Sequence, residues 1–167
     1  MLIRKLTKYD AEDYRKIRLE ALYKNPESFG TTYHEEAIKT IEQFRNKIPV
    51  DNNSFILGCY EDIKLIGIVV FQQQSRIKLR HKAYISSMYV QQEYRGKAIG
   101  KLLVNEVIEK AKALNDVEIL LLDVVKSNLF AKQLYLSLGF QIYGIEKMAY
   151  KFDNQYFDLE LMYLQIK

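Results

Sequence analysis

Hydrophobic residues along the chain follow two different periods. Alternation, or a short unbroken apolar run, predicts a strand; recurrence every three or four residues predicts a helix. "MLIRKLT", residues 1–7, alternates and predicts a first strand. Over residues 10–24, Tyr14, Ile17, Arg18, Ala21 and Leu22 fall in helical register, so an amphipathic helix is expected, with Asp10 as its cap and Glu12 and Asp13 in its first turn. After the loop "NPESFGTTY", a second helix is expected at about 34–47, opened by a capping box of Thr32 and Glu35 with Glu36 beside it. "SFILGCYE" and "KLIGIVVFQQQ" read as strands joined through the short "EDIK", a hairpin.

"RHKAYISSMYV", residues 80–90, predicts another strand, followed by a glycine-bearing turn and a long helix to about 113. "VEILLLDVV", residues 117–125, is almost wholly apolar, as in a central strand covered on both faces. "SNLFAKQLYLSLGF" predicts a helix starting near Ser127 and stopping at Gly139. "FQIYGIEK" and "FDLELMYLQI" close the chain as strands. Hairpins at both ends and a strand–helix–strand unit between them give an α/β fold with a mixed central sheet.

Composition narrows the classes without naming one. The 167 residues fit one domain, taken as 1–167, at 49% hydrophobic and 28% charged. A formal charge of +4 is mild and does not by itself indicate nucleic-acid binding. The lone Cys59 excludes an internal disulfide framework and a cysteine-rich zinc site, and reads as a buried small hydrophobe. No metal site is expected. The first ten residues carry no apolar leader core, and the longest apolar run, "IGIVVF" at 66–71, is far too short to span a membrane. A cytoplasmic protein without membrane contact is the expectation.

One stretch carries candidate chemistry. A helix N-terminus holds partial positive charge, so acidic side chains usually stand there. The helix after Gly96 reverses this: Arg95, Lys97 and Lys101 crowd its start, with no Ser, Thr, Asp or Asn cap. A Walker A loop is excluded, because the glycines are too close and Leu102 follows Lys101; a dinucleotide fingerprint is excluded, because only Gly96 and Gly100 are present. What remains is a strand, a basic turn with glycines, and a helix, an arrangement whose backbone N–H groups can receive phosphate.

With "RGKAIG" following "ISSMYV", the chain resembles the acyl-CoA signature of the GNAT N-acetyltransferase superfamily, written Q/R-x-x-G-x-G/A. Arg95 fills its first position and Gly100 its last; Ala98 stands where the family usually has Gly. "SNLFAKQLYLSLGF" is similar to the family's second signature helix, with Asn128, Ala131, Tyr135, Gly139 and Phe140 in register. The resemblance covers nearly the whole chain. It implies a sheet whose fourth and fifth strands splay apart around acetyl-CoA, and transfer of an acetyl group to a primary amine by direct attack in a ternary complex. Met88, Tyr89 and Val90 would pair with the pantetheine, one N–H near Met88 or Val90 polarising the thioester carbonyl. Arg95, Gly96, Lys97, Ala98, Ile99, Gly100 and Lys101 would hold the pyrophosphate. Asn128 and Ala131 would meet the pantetheine arm, and Tyr135 would protonate the departing thiolate. Each has a plainer reading: Tyr135 as a core aromatic, Asn128 as a helix cap, Gly100 as a close-packing position. The family often forms dimers, so a homodimer is admissible. A non-catalytic acyl-CoA-binding or regulatory module is the alternative.

The acceptor is not named by any residue. Phe29 and Tyr33 could wall its site, and Glu35, Glu36 or His81 could take the amine's proton, while Glu35 equally suits a capping box. "SRIKLRHK", read as a strand, puts Arg76, Lys78, Arg80 and Lys82 on one face. That face could meet nucleic acid, but solvation of an exposed hairpin accounts for it more simply.

Overall fold

The computed structural model describes residues 1–51 and 53–167. Among them, seven strands form one sheet: β1 (Leu2–Lys5), β2 (Ser54–Glu61), β3 (Lys64–Gln73), β4 (Lys82–Val90), β5 (Ile119–Val125), β6 (Gln141–Phe152) and β7 (Gln155–Gln165). Their spatial order is β1-β2-β3-β4-β5-β7-β6, with the β4–β5 pair parallel and the other neighbours antiparallel. The helices are α1 (Ala11–Lys24), α2 (Tyr33–Ala37), α3 (Ile41–Lys47), α4 (Ile99–Lys112) and α5 (Leu129–Ser137).

Period two on the central strands divides the core. Phe55, Leu57 and Cys59 of β2 pack with Leu103, Val104 and Val107 of α4, while Ile56 and Tyr60 pack on the other side with Ile17 and Ala21 of α1 and Phe44 of α3. The sheet is thus covered by α1 and α3 on one face and by α4 and α5 on the other. β5 is covered nearly throughout, as its composition implies, except at Asp123.

Three local readings change. The expected helix at 34–47 is two helices, because Thr40 accepts from the Gln43 N–H at 3.2 Å and starts α3 with a second capping box. Asp10 precedes α1 but does not cap it with its side chain; the carboxylate turns back to accept from the Thr7 N–H at 2.7 Å and from Arg4 at 2.6 and 2.9 Å. The basic stretch 75–81 is not a strand. Ile77–Leu79 is a single helical turn, since β3 ends at Gln73 and the loop is closed by Gln74 N–H donating to Lys82 O. The four cations therefore have no common strand face, and Arg80 pairs with Asp116 at 2.6 Å.

The feature that positions the site is an interrupted pairing. β4 and β5 are in register only over Lys82–Tyr84 and Ile119–Leu121. Beyond Tyr84 they part. On the far side of β4, the register with β3 slips between Ile68–Val70 and Ser86–Tyr89, so Ser87 and Met88 together face Val69. Ser87 takes the left-handed conformation, φ 53°. A bulge of this kind adds bend and twist to one strand, and here it bends β4 where β4 leaves β5.

Candidate active site

Met88, Tyr89 and Val90 lie on the free half of β4, beside the opening. The chain then turns through Arg95–Ala98 into α4. Gly96 has φ +78°, and a Cβ built on it would meet nothing within 4 Å, so open space lies beside its backbone. Ala98 is also left-handed, φ 59°. This gives a physical meaning to the departure at this position: a glycine there would take the same conformation without strain. The first helical hydrogen bond of α4 runs from the Leu102 N–H to Ala98 O, 3.0 Å. The N–H groups of Ile99, Gly100 and Lys101 thus stand at an uncapped start. Arg95, Lys97 and Lys101 are exposed around it. Arg95 is braced from behind, its Nε donating to Val90 O at 3.1 Å and its second nitrogen to Asn25 Oδ1 at 2.9 Å. A cradle of free N–H groups, three cations and an open glycine backbone fits the pyrophosphate of a CoA thioester.

Gly100 has a different role from Gly96. A Cβ there would lie 2.8 Å from Leu134 Cδ1 and 3.4 Å from Met88 Cε. It lets α4 approach both α5 and the bulged strand.

α5 faces the opening from the β5 side. Asn128 accepts from the Ala131 N–H at 3.1 Å through Oδ1, so it caps the helix; its amide Nδ2 is not used in that bond. Tyr135 is buried, with its ring edge-on to Phe140 at 5.8 Å. Burial raises its pKa, and the charge of Asp123 adds to the rise. The phenol therefore keeps its proton across the neutral range.

Asp123 is the carboxylate that sequence reading passed over. It sits in the part of β5 that has left β4. Tyr150 of β6 donates to its Oδ2 at 3.3 Å. Although the side chain is exposed to solvent on one side, partial desolvation by its neighbours is the chief cause that raises its pKa; the Tyr150 bond opposes the rise and the charge of Glu146 adds to it. Burial and Asp123 in turn push Tyr150 up to about 12. Tyr150 reaches across β7 because β6 is irregular between Glu146 and Tyr150, where Met148 is left-handed at φ 53° and its N–H donates to Asp158 at 3.0 Å. A signal for the pair did exist: Asp123 is the only charged residue in the apolar run 117–125 after Glu118.

A cavity of about 190 Å³ lies between the α1–α2 segment and the end of β6. Pro26, Glu27, Phe29 and Gly30 line one wall, and Tyr150, Lys151 and Phe152 the other. The turn at Pro26–Ser28 touches β5 as well as β6, which sets the cavity beside the opening. Of the five acceptor-side candidates, Phe29 lines it. Tyr33 packs on Tyr23 with ring centroids 5.7 Å apart and does not line it. Glu35 is committed to Thr32, accepting from its N–H and hydroxyl at 2.7 Å each. Glu36 is buried and held by Lys39 and Lys47. His81 precedes β4, where its carbonyl accepts from Glu118 and Ile119, at the paired end of the two strands; Met88 lies roughly 20 Å away along an extended strand.

Three kinds of similarity agree with this geometry. A family model described as an acetyltransferase (GNAT) domain matches residues 3–161. An uncharacterized N-acetyltransferase of Methanocaldococcus jannaschii is 30% identical over 141 residues; the match takes in 83% of this chain, which spans 60% of that relative's length. The crystal structure of a GNAT-family acetyltransferase from Streptococcus pneumoniae superposes with a TM-score of 0.88 at 25% identity, covering 99% of each chain. A putative acetyltransferase from Salmonella typhimurium, solved with its cofactor acetyl-CoA, shares the fold at a TM-score of 0.82 and 19% identity, over 100% of this chain and 94% of that one. Among the described residues, no helix is long and apolar enough to cross a membrane.

Proposed function

The chain belongs to the GNAT acetyltransferase family, and from that premise we propose that it moves an acetyl group from acetyl-CoA to a primary amine by direct attack in a ternary complex. The observation that supports this reading is the opening between β4 and β5, with the Asp123 carboxylate on its β5 side and the buried Tyr135 phenol within reach of that carboxylate's field. Acetyl-CoA supplies the activated acyl carbon. Arg95, Lys97, Lys101 and the N–H groups at the start of α4 would hold its pyrophosphate. Asn128 and the free edge of β4 would hold its pantetheine.

The chain's own part is to manage two protons. An ammonium has no lone pair, so the acceptor must lose a proton before it attacks. Asp123 takes that proton, with Tyr150 orienting the carboxylate through Oδ2. Its raised pKa brings it closer to the working pH, where a base is most effective. The Tyr135 hydroxyl gives its proton to the leaving sulfur, and the second proton, which the nitrogen sheds as the amide forms, returns the phenoxide to phenol. Burial makes a phenol a weaker acid, but the same desolvation makes a thiolate a stronger base, so the transfer remains matched.

Incubation with acetyl-CoA and a panel of primary amines, followed by thiol release, tests the proposal. Turnover should fall by about 10²–10⁴-fold in Tyr135→Phe and in Asp123→Asn, with acetyl-CoA affinity changed little. The Tyr150 bond favours the ionised carboxylate, so Tyr150→Phe should move the acidic limb of the pH–rate profile to higher pH. An unmoved limb removes Asp123 as the base. Tight acetyl-CoA binding without turnover of any amine would instead identify a non-catalytic acyl-CoA module.

A further inference from the structure

α1 carries a cation that the proposed chemistry does not use. Arg18 is only 8% exposed, and among the described residues its terminal nitrogen Nη1 is buried without a hydrogen-bond partner. A buried charge is normally paired, because leaving one unpaired costs several kcal/mol. The one buried carboxylate whose field reaches it is Glu36, and that side chain is already bonded through separate oxygens to Lys39, at 2.9 Å, and to Lys47. Three cations thus share one carboxylate in the space between α1, α2 and α3. Burial accordingly lowers the pKa of Arg18.

Arg18 is also joined to the cavity. The Phe29 ring lies over its guanidinium at 4.9 Å, and Phe29 lines the cavity wall. The next residue, Gly30, approaches Tyr150 so closely that a Cβ would lie 3.3 Å from the phenol ring and oxygen. Tyr150 in turn holds Asp123. The order is therefore guanidinium, aromatic ring, cavity, phenol, carboxylate. An aromatic on the face of a guanidinium leaves its edge for in-plane hydrogen bonding, the geometry in which arginine binds carboxylates.

We infer that the acceptor is a small amine that also carries an anionic group, and that Arg18, uncovered by a shift of the half-buried Phe29 ring, binds that group while the amine faces Asp123. This rests on the N-acetyltransferase reading and adds the acceptor's chemical class to it. Arg18 is a specificity-determining residue in this account, kept at a cost to stability.

Matched acceptors test it: amino acids of several amine-to-carboxylate spacings, each beside its carboxamide, with unsubstituted alkylamines as reference. The carboxamide's amine is the less basic, so a preference for the acid runs against intrinsic reactivity. With the native chain, kcat/KM should favour the best acid over its amide by about 10- to 100-fold, the span expected of a charged hydrogen bond. Arg18→Met should bring that ratio to near one while leaving Tm equal or higher; Arg18→Lys should restore part of it. In thermal melts with CoA present, the best acid should raise the Tm of the native chain and not that of Arg18→Met. Equal use of acid and amide, a preference that survives in Arg18→Met, or a fall in Tm marking Arg18 as a structural cation would each overturn the inference. Turnover of alkylamines and amides as fast as acids would do so while leaving the transferase reading intact. Failure of every amine would remove both.

Discussion

The starts of α3 and α4 are built in opposite ways. α3 is closed by its own chain: Thr40 accepts from the Gln43 N–H, and Gln43 Oε1 accepts from the Thr40 N–H at 2.8 Å. α2 repeats the device with Thr32 and Glu35. α4 begins from a left-handed Ala98, with no side-chain cap, no acidic residue in its first turn and three exposed cations around it. Physical chemistry permits a helix end to be completed by a side chain, by water or by a ligand. The same chain uses the first solution at α2, α3 and α5; α1 lacks a side-chain cap but has Glu12 and Asp13 in its first turn, and α4, beside the opening between the splayed strands, has neither. An end left open in this company is available to an anionic ligand, whereas the caps of α2 and α3 already satisfy their own helix ends.

The sharpest way to break this contrast is to disturb how α4 is seated. Gly100→Val should lower CoA affinity by at least about 100-fold and destabilise the fold by about 1–3 kcal/mol, the usual cost of overpacking. The cause is the approach of Leu134 Cδ1 and Met88 Cε to the new side chain, more than crowding of phosphate. Leu134→Ala in the same chain should therefore recover much of both, by calorimetry and by denaturation. Recovery of stability without recovery of affinity would return Gly100 to direct phosphate contact.

Lys101→Glu separates the two functions of a helix start. An acidic residue in the first turn should stabilise α4 by about 0.3–1 kcal/mol. Reversal of a charge beside a pyrophosphate should weaken CoA binding by about 30-fold, from a screened Coulomb term near 1 kcal/mol for the charge removed and again for the charge added. The salt dependence of binding should flatten as well. Higher Tm together with lower affinity is the expected pair; unchanged affinity would make the cations a solvated face only.

At α3 the opposite outcome is expected. Thr40→Ala should lower stability by about 1 kcal/mol through loss of the cap, equivalent to a Tm shift of roughly 2–4 °C at this chain length. CoA affinity should not change. A change would mean that the end of α3 communicates with the site, and that the division between capped and open ends is not a division of roles.

How far these features were legible depended on whether they are local. The alternation in β2 and β3, the covered run of β5 and the basic turn before α4 follow from neighbours in sequence, and the structure has them. The break at Thr40 was legible too, since Thr40 and Gln43 have capping-box spacing, but the unbroken helical register across 34–47 hid it. The strand reading of 75–81 failed because alternation describes a strand only where a partner exists, and β3 has already ended. The Asp123–Tyr150 pair joins residues 27 apart through an irregular β6, and no periodicity encodes where a bulge aims a side chain. Arg18 was placed correctly on the buried face of α1, but burial of its charge without a partner is visible only once α2 and α3 are packed around it.

The smallest effect concerns Ala98, and it decides what the departure from the family pattern means. If the methyl obstructed phosphate, Ala98→Gly would tighten CoA binding. The geometry favours a different cost, paid in backbone strain: an alanine at φ 59° sits in a region that disfavours L-residues by about 1–2 kcal/mol. Glycine removes that penalty but adds about 0.4–1 kcal/mol of freedom to the unfolded chain. Ala98→Gly should therefore raise stability by about 0.5–1 kcal/mol and leave CoA affinity within a factor of about two. Denaturant melts and calorimetry on the one variant separate the cases. A gain in affinity without a gain in stability would place the methyl against the phosphate, and a gain in stability alone would show that α4 keeps its open start despite a strained residue at the proposed phosphate site.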